Sequence, residues 1–496
     1  MKKQTFGRKA LALLLAALCL SSLYGCGGEK AGGETDTAPE TETAETEPEA
    51  AETKPSRPKP SSDGQKFNGE SFRVLYRFGG NAYNCKDVTA PDGLTGEVVN
   101  DAVYHRNIAL EELLDIKLDA KADGDPRGFV TADVQSGSGD FDVVLEVMNG
   151  LAPLAVSNYL YNWRDMPYFD ENMPWWDKNS AAEMSLANRV YLMAGDISMK
   201  TSSCVRFFCF NKDMWEDYGL EEPYAFVEAG KWTVDRMAEN VRKVSLDLNG
   251  DGKMDGTDRW GLLNESPTFL LVGCGVLYTT KDENDLPVVS FVNEHAVGAM
   301  EKVKSLLDDK NHVLDYFVMA KGMDTSAFPH IYDYGRSRFA AGQLLMIDIC
   351  ADDIRQFADM DERYGILPNP KLDDAQSDYY HLIDPFAPVW ALSSIQKQPE
   401  LTGAAMETWG YLSGDLVEAF YETTMKKKRA DAPEDAAMLD MVRASVRYEL
   451  GTILDFGIAG VIDNAYKSGN LISSYEKQSG VIEKKIAGAL KNFVES

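Results

Sequence analysis

The sequence has few of the residues from which many catalytic and metal centres are built. Only 7 of its 496 residues are cysteine and 5 are histidine. The cysteines are scattered without a CxxC pair, which argues against a structural zinc site of the usual ligand spacing. There is also no GxSxG elbow, HExxH helix or Walker loop, and no GxGxxG follows the first predicted strand. These absences argue against the hydrolases, metalloproteases and nucleotide-binding enzymes that carry such motifs.

Basic residues are outnumbered as well. The chain has 50 Lys and Arg against 79 Asp and Glu, for a formal net charge of −29. Because nucleic-acid binding needs clustered positive charge, a nucleic-acid partner is excluded. The balance favours a soluble protein outside the cell that binds neutral or cationic ligands. With 8 Trp, 22 Tyr and 21 Phe the chain can build a large core, and its length predicts two lobes or domains.

The N-terminus reads as a targeting segment. A basic start, MKKQTFGRK, precedes the apolar stretch ALALLLAALCLSSLYG, which is short for a membrane span. The tetrad Leu-Tyr-Gly-Cys that follows resembles a bacterial lipobox, in which the cysteine becomes the lipidated first residue. We therefore predict a signal peptide over residues 1–25 and lipidation of Cys26; the alternative is a general secretion signal with an incidental cysteine. The expected location is the cell envelope, anchored to the membrane by lipid and facing the extracytoplasmic side.

Residues 26–66 are predicted to form a disordered tether. They are rich in Glu, Thr, Pro and Ala and almost devoid of large apolar residues. Such a segment cannot bury enough surface to offset the entropy lost on ordering.

The remaining chain alternates strand and helix patterns. FRVLYRF, KLDAKA and DFDVVLEV read as the first three strands, with helical apolar spacing between them. Further strand–helix pairs follow, among them VRFFCFN with KDMWEDYGL and GQLLMIDIC with ADDIRQFADM. The part after about Pro399 is predicted to be mostly helical. This order predicts an α/β fold with parallel strands wrapped by helices.

Several stretches together resemble the extracellular solute-binding proteins (family 1) of ABC importers. They are VVNDAVYHRNIALEELLDIKL, NKDMWEDYGLEEPYAFVEAGKWTVDRM, the Asp-rich loop before DRWG, and YGILPNPKLDDAQSDYY. The resemblance implies a two-lobed, periplasmic-binding-protein-like fold of type II, with hinge crossings near Gly195–Thr201, Gly322–Ala327 and Phe386–Trp390. The lobes it implies are residues 67–198 with 325–388, and residues 199–324 with 389–496.

The loop SLDLNGDGKMDGTDRWG places oxygen-bearing residues at nearly alternate positions. Their spacing matches the ligand positions of an EF-hand loop, with Gly252 at the sharp turn. Position 12 departs from that pattern, because it carries a shorter Asp instead of a bidentate Glu. We predict a structural Ca²⁺ site; the alternative is an Asp/Gly-rich surface turn without a metal. The predicted ligands are Asp247, Asn249, Asp251, Lys253 through its carbonyl, Asp255 and Asp258.

A sugar site needs aromatic platforms and polar groups that are desolvated together. Ligands of open α/β sheets bind at the carboxyl ends of strands, so residues there and near the expected crossings are candidates. Each also has a simpler explanation, since a tryptophan is more often part of a core than of a sugar platform. The candidates are Tyr76, Arg77, Asn81, Glu146, Asn149, Trp163, Trp175, Trp176, Asp196, Tyr379, Tyr380, Asp384 and Trp390.

The resemblance thus predicts a substrate-binding lipoprotein, not an enzyme. It would capture a solute, expected to be a sugar or oligosaccharide, by hinge closure and deliver it as a monomer to ABC permease subunits. Two alternatives remain open at this point. One is a lipid-anchored glycan hydrolase, because paired carboxylates cannot be identified by spacing alone. The other is an adhesion scaffold, which the α/β pattern and the lack of repeats disfavour.

Overall fold

The computed structural model describes most of the chain after the predicted tether. The described residues are 57–79, 83–316, 325–357, 359–421 and 433–494. Residues Ser56–Ser496 form one compact unit. The predicted signal peptide, the predicted lipidation site Cys26, most of the tether and the candidate Asn81 lie outside the described residues. Among the residues described, no helix is long and apolar enough to cross a membrane.

The described residues before 203 supply four strands and five α-helices, with a 3₁₀ turn at Trp163–Asp165. In chain order they are β1 (Glu70–Arg77), α1 (Val98–Leu114), β2 (Ile116–Asp123), α2 (Pro126–Ser136), β3 (Val143–Val147), α3 (Met148–Val156), β4 (Leu160–Tyr161), α4 (Lys178–Met184) and α5 (Met199–Ser202).

The middle of the chain continues the alternation of strands and helices. Its elements are β5 (Arg206–Asn211), α6 (Lys212–Asp217), α7 (Pro223–Glu228), α8 (Val234–Val244), β6 (Trp260–Asn264), α9 (Pro267–Gly273), β7 (Thr279–Lys281), β8 (Pro287–Val289), α10 (Glu294–Leu307), β9 (Val313–Asp315), α11 (Ile331–Ala340), β10 (Leu344–Cys350), a 3₁₀ turn (Ala351–Phe357) and β11 (Tyr364–Leu367).

The remainder is mostly helical, as the sequence predicts. Its elements are β12 (His381–Leu382), β13 (Pro388–Ser393), α12 (Pro399–Leu412), α13 (Gly414–Glu418), α14 (Pro433–Ala444), β14 (Val446–Arg447), α15 (Leu450–Ile453), α16 (Ile458–Ser468), α17 (Leu471–Glu476) and α18 (Ser479–Val494).

Two five-stranded sheets organise these elements. The first has the order β2-β1-β3-β13-β4, with β1 parallel to β2 and β3, and β13 antiparallel to β3. The second has the order β11-β5-β10-β6-β9, with β10 parallel to β6 and antiparallel to β5. Every residue of β3, β5, β10 and β13 is buried. Strands covered on both faces read as continuous apolar runs, which explains why β3, β5 and β10 were visible in the sequence.

The sheets correct the expected lobe limits. Strands β10 and β11 fall within residues 325–388, assigned above to lobe 1, but they pair in the second sheet with β5 and β6. Strand β13, nearly all of which was assigned to lobe 2, pairs in the first sheet with β3. The chain therefore crosses between sheets before β5 and again between β11 and β13. No crossing is needed near Gly322–Ala327, because the strands on both sides of it, β9 and β10, belong to the same sheet.

The first crossing begins with a close backbone approach. Gly195 has φ of +147° and forms an antiparallel bridge with Trp176. A Cβ at this position would lie 2.2 Å from the carbonyl oxygen of Trp175. Only glycine fits here without moving the backbone.

Backbone amides donate hydrogen bonds to the carboxylates of the acidic loop. The two oxygens of Asp258, a buried residue, accept hydrogen bonds from the amides of Leu248 at 3.0 Å and Asp255 at 2.8 Å. Asp247 accepts likewise from the amides of Gly250 and Gly252. Within the described ranges, no three acidic, histidine or cysteine side chains are grouped so that they could hold a metal ion. The calcium site stays a prediction.

If the loop binds calcium, chelation with EGTA lowers the midpoint of thermal unfolding, because an ion that binds only the folded state stabilises it. Differential scanning fluorimetry with and without millimolar Ca²⁺ measures this shift. Asp251→Asn should remove the dependence, whereas Asp92→Asn, on an exposed turn elsewhere, should retain it. Identical midpoints with EGTA and with calcium would leave the loop a metal-free turn.

A carboxyl group is buried under helix α12. Glu407 is fully buried, and its Oε1 accepts from the amide of Asp170 at 3.0 Å and from Trp176 Nε1 at 2.9 Å. Its other oxygen is buried without a hydrogen-bond partner among the described residues. Burial outweighs these hydrogen bonds and raises the pKa of Glu407 to about 7. The folded state therefore keeps a proton that the unfolded state releases near pH 4.3.

This linkage predicts that stability falls as pH rises. Between about pH 4.3 and pH 7 the folded protein binds a proton that the unfolded protein has released. The stabilisation that this proton gives is therefore full below about pH 4.3 and is lost as the pH rises through 7. Glu407→Gln removes this dependence, and between pH 5 and 8 the free energy of unfolding of the variant should gain about 2 kcal/mol relative to wild type. Urea denaturation at several pH values measures it. Glu400→Gln, exposed on the same helix, should follow wild type; a parallel pH dependence in Glu407→Gln would refute the account.

Candidate functional site

A large cavity opens where strands of both sheets end. Its volume is about 1010 Å³. One wall comes from the loop after β1, including Tyr83, and another from Glu265, which directly follows β6. The 3₁₀ turn after β10 and helix α11 contribute further side chains, and α5 lies at the crossing. The carboxyl ends of β1, β6 and β10 thus meet at one cleft, the position where open α/β sheets bind ligands.

An aromatic pair lies beside the first wall, and its member Tyr83 lines the cavity. The rings of Tyr83 and Phe386 are stacked, with centroids 5.9 Å apart and an interplanar angle of 21°. Phe386 is 51% exposed, which is unusual for so large an apolar side chain. Tyr83 has a backbone φ of +58°, a left-handed conformation that is costly for a residue with a Cβ. The hydroxyl of Tyr83 donates to Asp384 Oδ2 at 3.2 Å, which fixes the direction of its ring.

A buried cation lies at the floor of the cleft. Arg206, the first residue of β5, is ion-paired through Nη2 with Glu265, and the same nitrogen lies 3.4 Å from Asp348 Oδ2. Asp348 is on the neighbouring strand β10, and its other oxygen accepts from the amide of Glu265 at 2.9 Å. The guanidinium also lies 4.3 Å from the ring of Phe269. Burial raises the pKa of Asp348, although Arg206 opposes the shift.

Three more ion pairs line the cleft. Arg336 of α11 donates to Asp333 Oδ1 at 3.0 Å and lies 2.8 Å from Asp353 Oδ2. Lys200 of α5 donates to Asp352 Oδ2 at 2.7 Å. Asp352 and Asp353 belong to the segment ADDIRQF, which the sequence predicts as part of a helix and the structure shows as a 3₁₀ turn. Charged groups that are fixed in this way can bind sugar hydroxyls without reorganising.

Asp384 is a predicted site residue that interacts with both Tyr83 and Arg206. It is buried, accepts from Tyr83 and from the amide of Phe386 at 2.9 Å, and lies between β12 and β13 at the second crossing. Burial raises the pKa of Asp384, with Arg206 opposing. The structure places this carboxyl between the aromatic wall and the buried arginine.

Other predicted residues near the ends of β1 and β3 are bound to one another or to the core. Arg77 Nη1 donates to Glu146 Oε1 at 2.8 Å, and Glu146 is buried. Tyr76 is 7% exposed, and its hydroxyl pairs with Thr89. Asn149 is half-buried in the first turn of α3, where its amide donates to the carbonyl of Pro385. None of these four lines the large cavity.

The tryptophan candidates are core residues. Trp163, Trp175 and Trp390 are 0% exposed and Trp176 is 3% exposed, so none presents a free face to a sugar in the large cleft. Trp390 Nε1 donates to the carbonyl of Ile197, and its ring packs edge-on against that of Trp409. Their prediction as platforms is wrong, because the large indole surface is used to pack α12 onto the first sheet.

Asp196 lies at a second, smaller cavity of about 430 Å³, which Trp175 and Trp176 also border. Its carboxylate is held between Arg57 Nη2 at 2.5 Å and Arg443 Nη2 at 3.1 Å. Burial raises the pKa of Asp196, and the two arginines oppose that shift. The residue therefore joins the start of the described chain to helix α14 and does not reach the large cleft.

The last two predicted residues lie outside both cavities. Tyr379 is 8% exposed, and its hydroxyl donates to the carbonyl of Val227 at 3.1 Å. Tyr380 is half-buried under the guanidinium of Arg447, 5.2 Å from its ring.

The cleft residues that the sequence interpretation missed carry recognisable signals. Arg206 and Asp348 are charges within the apolar strands VRFFCFN and LLMIDIC, and a charge in a strand buried on both faces needs a partner. Asp352 and Asp353 come just after strand β10. Ligands of open α/β sheets bind at the carboxyl ends of strands, so these two residues could have been predicted as candidates. Tyr83 lies two positions from the predicted Asn81 in the same loop.

Known proteins match this chain in structure only. No protein-family model and no curated protein matches the sequence. A cyclo/maltodextrin-binding protein complexed with maltotetraose is similar in structure, with a TM-score of 0.54 and 13% identity over 87% of this chain and 98% of that chain.

Two further solved structures show the same likeness. The ABC substrate-binding protein Lmo0181 from Listeria monocytogenes, in complex with cycloalternan, has a TM-score of 0.51 and 12% identity over 86% of this chain and 99% of its own. A solute-binding protein from Thermotoga lettingae, bound with α-D-tagatose, has a TM-score of 0.50 and 12% identity over 84% and 100%. At these identities the likeness establishes the fold, as the sequence predicts: the chain has the two-lobed α/β fold of the sugar-binding ABC solute-binding proteins.

Proposed function

We propose that this chain is a substrate-binding lipoprotein that captures a saccharide outside the cell and delivers it to an ABC importer. The observation that carries the proposal is the cleft of about 1010 Å³, lined from both sheets at the ends of their strands. The solved structures of the same fold are of proteins bound to maltotetraose, cycloalternan and α-D-tagatose.

The groups in the cleft match the chemistry of a sugar. A pyranose ring has a weakly apolar face, which suits the ring of Tyr83 in the cleft. Its hydroxyls need donors and acceptors held in fixed positions, which Arg206, Glu265 and Asp353 supply. Because each of these groups already has a partner in the protein, little side-chain entropy is lost on binding.

Binding is coupled to closure in this proposal. A ligand that touches residues on both sheets makes all its contacts only when the sheets approach, so it shifts the balance toward the closed form by its differential affinity. The two crossings, before β5 and before β13, are the segments that bend. The closed form is the one that docks on the permease.

Saccharide binding should appear as a rise in the unfolding midpoint of residues 57–496 in a thermal-shift screen of mono- and oligosaccharides. For the best ligand, Tyr83→Ala should weaken binding at least about tenfold by calorimetry, because it removes the stacking surface. Tyr380→Ala is the matched control: it removes a half-buried tyrosine outside the cleft and should bind like wild type.

The same samples separate a receptor from a hydrolase. After long incubation, chromatography should recover the saccharide unchanged. Product that accumulates with time would contradict the proposal, and so would equal losses of affinity in the two tyrosine variants.

The anchor is tested separately. Lipidation of Cys26 predicts that the protein stays with the membrane fraction and that Cys26→Ser releases it into the soluble extracytoplasmic fraction, because a polar tether alone has no affinity for lipid. Fractionation followed by immunoblotting measures the partition. A wild-type protein found wholly in the soluble fraction would exclude the anchor and leave the binding function untouched.

A further inference from the structure

Three basic side chains from separate parts of the chain line one side of the large cleft. Lys86 follows β1, Lys200 is in α5 at the first crossing, and Arg355 is in the 3₁₀ turn after β10. They are brought together only by the fold, since more than a hundred positions separate each from the next. In a chain of net charge −29, three basic side chains on one side of a cleft are a local concentration of positive groups.

The carboxylate of Asp352 interacts electrostatically with all three cations. Asp352 Oδ2 accepts from Lys200 Nζ at 2.7 Å and lies 3.2 Å from Arg355 Nη2. Burial acts to raise the pKa of Asp352, yet Lys200, Arg355 and Lys86 together lower it. A single negative charge therefore sits among three positive ones.

A second acidic residue, Asp87, also lines this part of the cleft. Asp87 is 5% exposed, and its Oδ2 accepts from the backbone amides of Met199 at 2.6 Å and Lys200 at 3.3 Å. It caps the start of α5 and does not reach toward the lysine ammonium as an ion-pair partner in the structure. Lys86, Lys200 and Arg355 therefore lie around the carboxylate of Asp352. Asp87 is hydrogen-bonded to the backbone through Oδ2, and its Oδ1 is buried without a hydrogen-bond partner among the described residues.

Lys86 is the third cation of the group. It is an exposed residue, and among the described residues it makes no hydrogen bond or ion pair. A flexible lysine at the rim of a cleft can turn inward when a ligand brings a negative charge.

The cations also adjoin the aromatic wall. Lys200 Nζ lies 5.8 Å from the centroid of the Tyr83 ring. A sugar stacked on Tyr83 would thus present its ring substituents to Lys200, and through it to the neighbouring Lys86 and Arg355.

We infer that the cleft selects an acidic saccharide, whose carboxylate or sulfate is bound by Lys86, Lys200 and Arg355. This inference rests on the proposed function and narrows its substrate class. It also corrects the expectation from overall charge, which favours neutral or cationic ligands. The strongly acidic surface slows the approach of such a ligand at low ionic strength, whereas the local cations stabilise it once bound.

The test compares matched sugars on the mature chain carrying Cys26→Ser. Calorimetry at low salt is run with cellobiose, cellobiouronic acid and cellobiose sulfate, and with galactobiose, digalacturonic acid and galactobiose sulfate. The acidic member of the pair that binds should bind about tenfold tighter than its neutral parent, and the difference should shrink at 0.5 M NaCl because salt screens it. The uronate and sulfate arms show which anionic group the site prefers.

Charge-removing variants locate the effect. Lys86→Gln and Arg355→Gln should each weaken binding of the acidic sugar about threefold to tenfold and leave the neutral sugar unchanged. Lys117→Gln, an exposed lysine on β2, is the matched control and should change neither. If acidic and neutral members bind equally, or if Lys86→Gln behaves like Lys117→Gln, the inference is overturned while saccharide binding stands. If no saccharide binds in these pairs or in the thermal-shift screen, the proposed function itself fails.

Discussion

The buried guanidinium of Arg206 is the constraint on which the cleft depends. A buried cation is tolerated only when carboxylates surround it, and here they come from the end of β6, from β10 and from the crossing before β13. Removing one partner leaves an uncompensated charge, so the ends of these elements are held at fixed positions. Asp384 extends the arrangement to Tyr83 on the other wall. The floor that joins the two sheets is therefore an electrostatic network, not an apolar seam.

The charged groups at the floor of the cleft are paired on or next to the second sheet. Arg206 of β5 pairs with Glu265 and Asp348, and Arg336 pairs with Asp353. If the cleft closes on a ligand as proposed above, these pairs can stay intact while contacts across the cleft change.

Much of the fold was accessible from the sequence, and much of the site was not. Strands such as DVVLEV and LLMIDIC are visible because burial on both faces leaves long apolar runs. The lobe limits were misplaced because nothing local in the sequence shows which sheet a segment joins. Pairing places β10 beside β5, and it places β13, which was not predicted as a strand, beside β3. The tryptophans were predicted as sugar platforms because nothing in the local sequence distinguishes a buried indole from an exposed one. The cleft residues lie far apart in sequence, so their convergence follows from topology alone.

The central claim is that one saccharide is held by residues of both sheets at the cleft around Arg206. A crystal structure of the protein saturated with its best-binding saccharide tests it most directly. The account predicts density for the sugar against Tyr83, with its hydroxyls within hydrogen-bond distance of side chains from the ends of β6 and β10. Density at the smaller cavity beside Asp196, or contacts to a single sheet only, would contradict it.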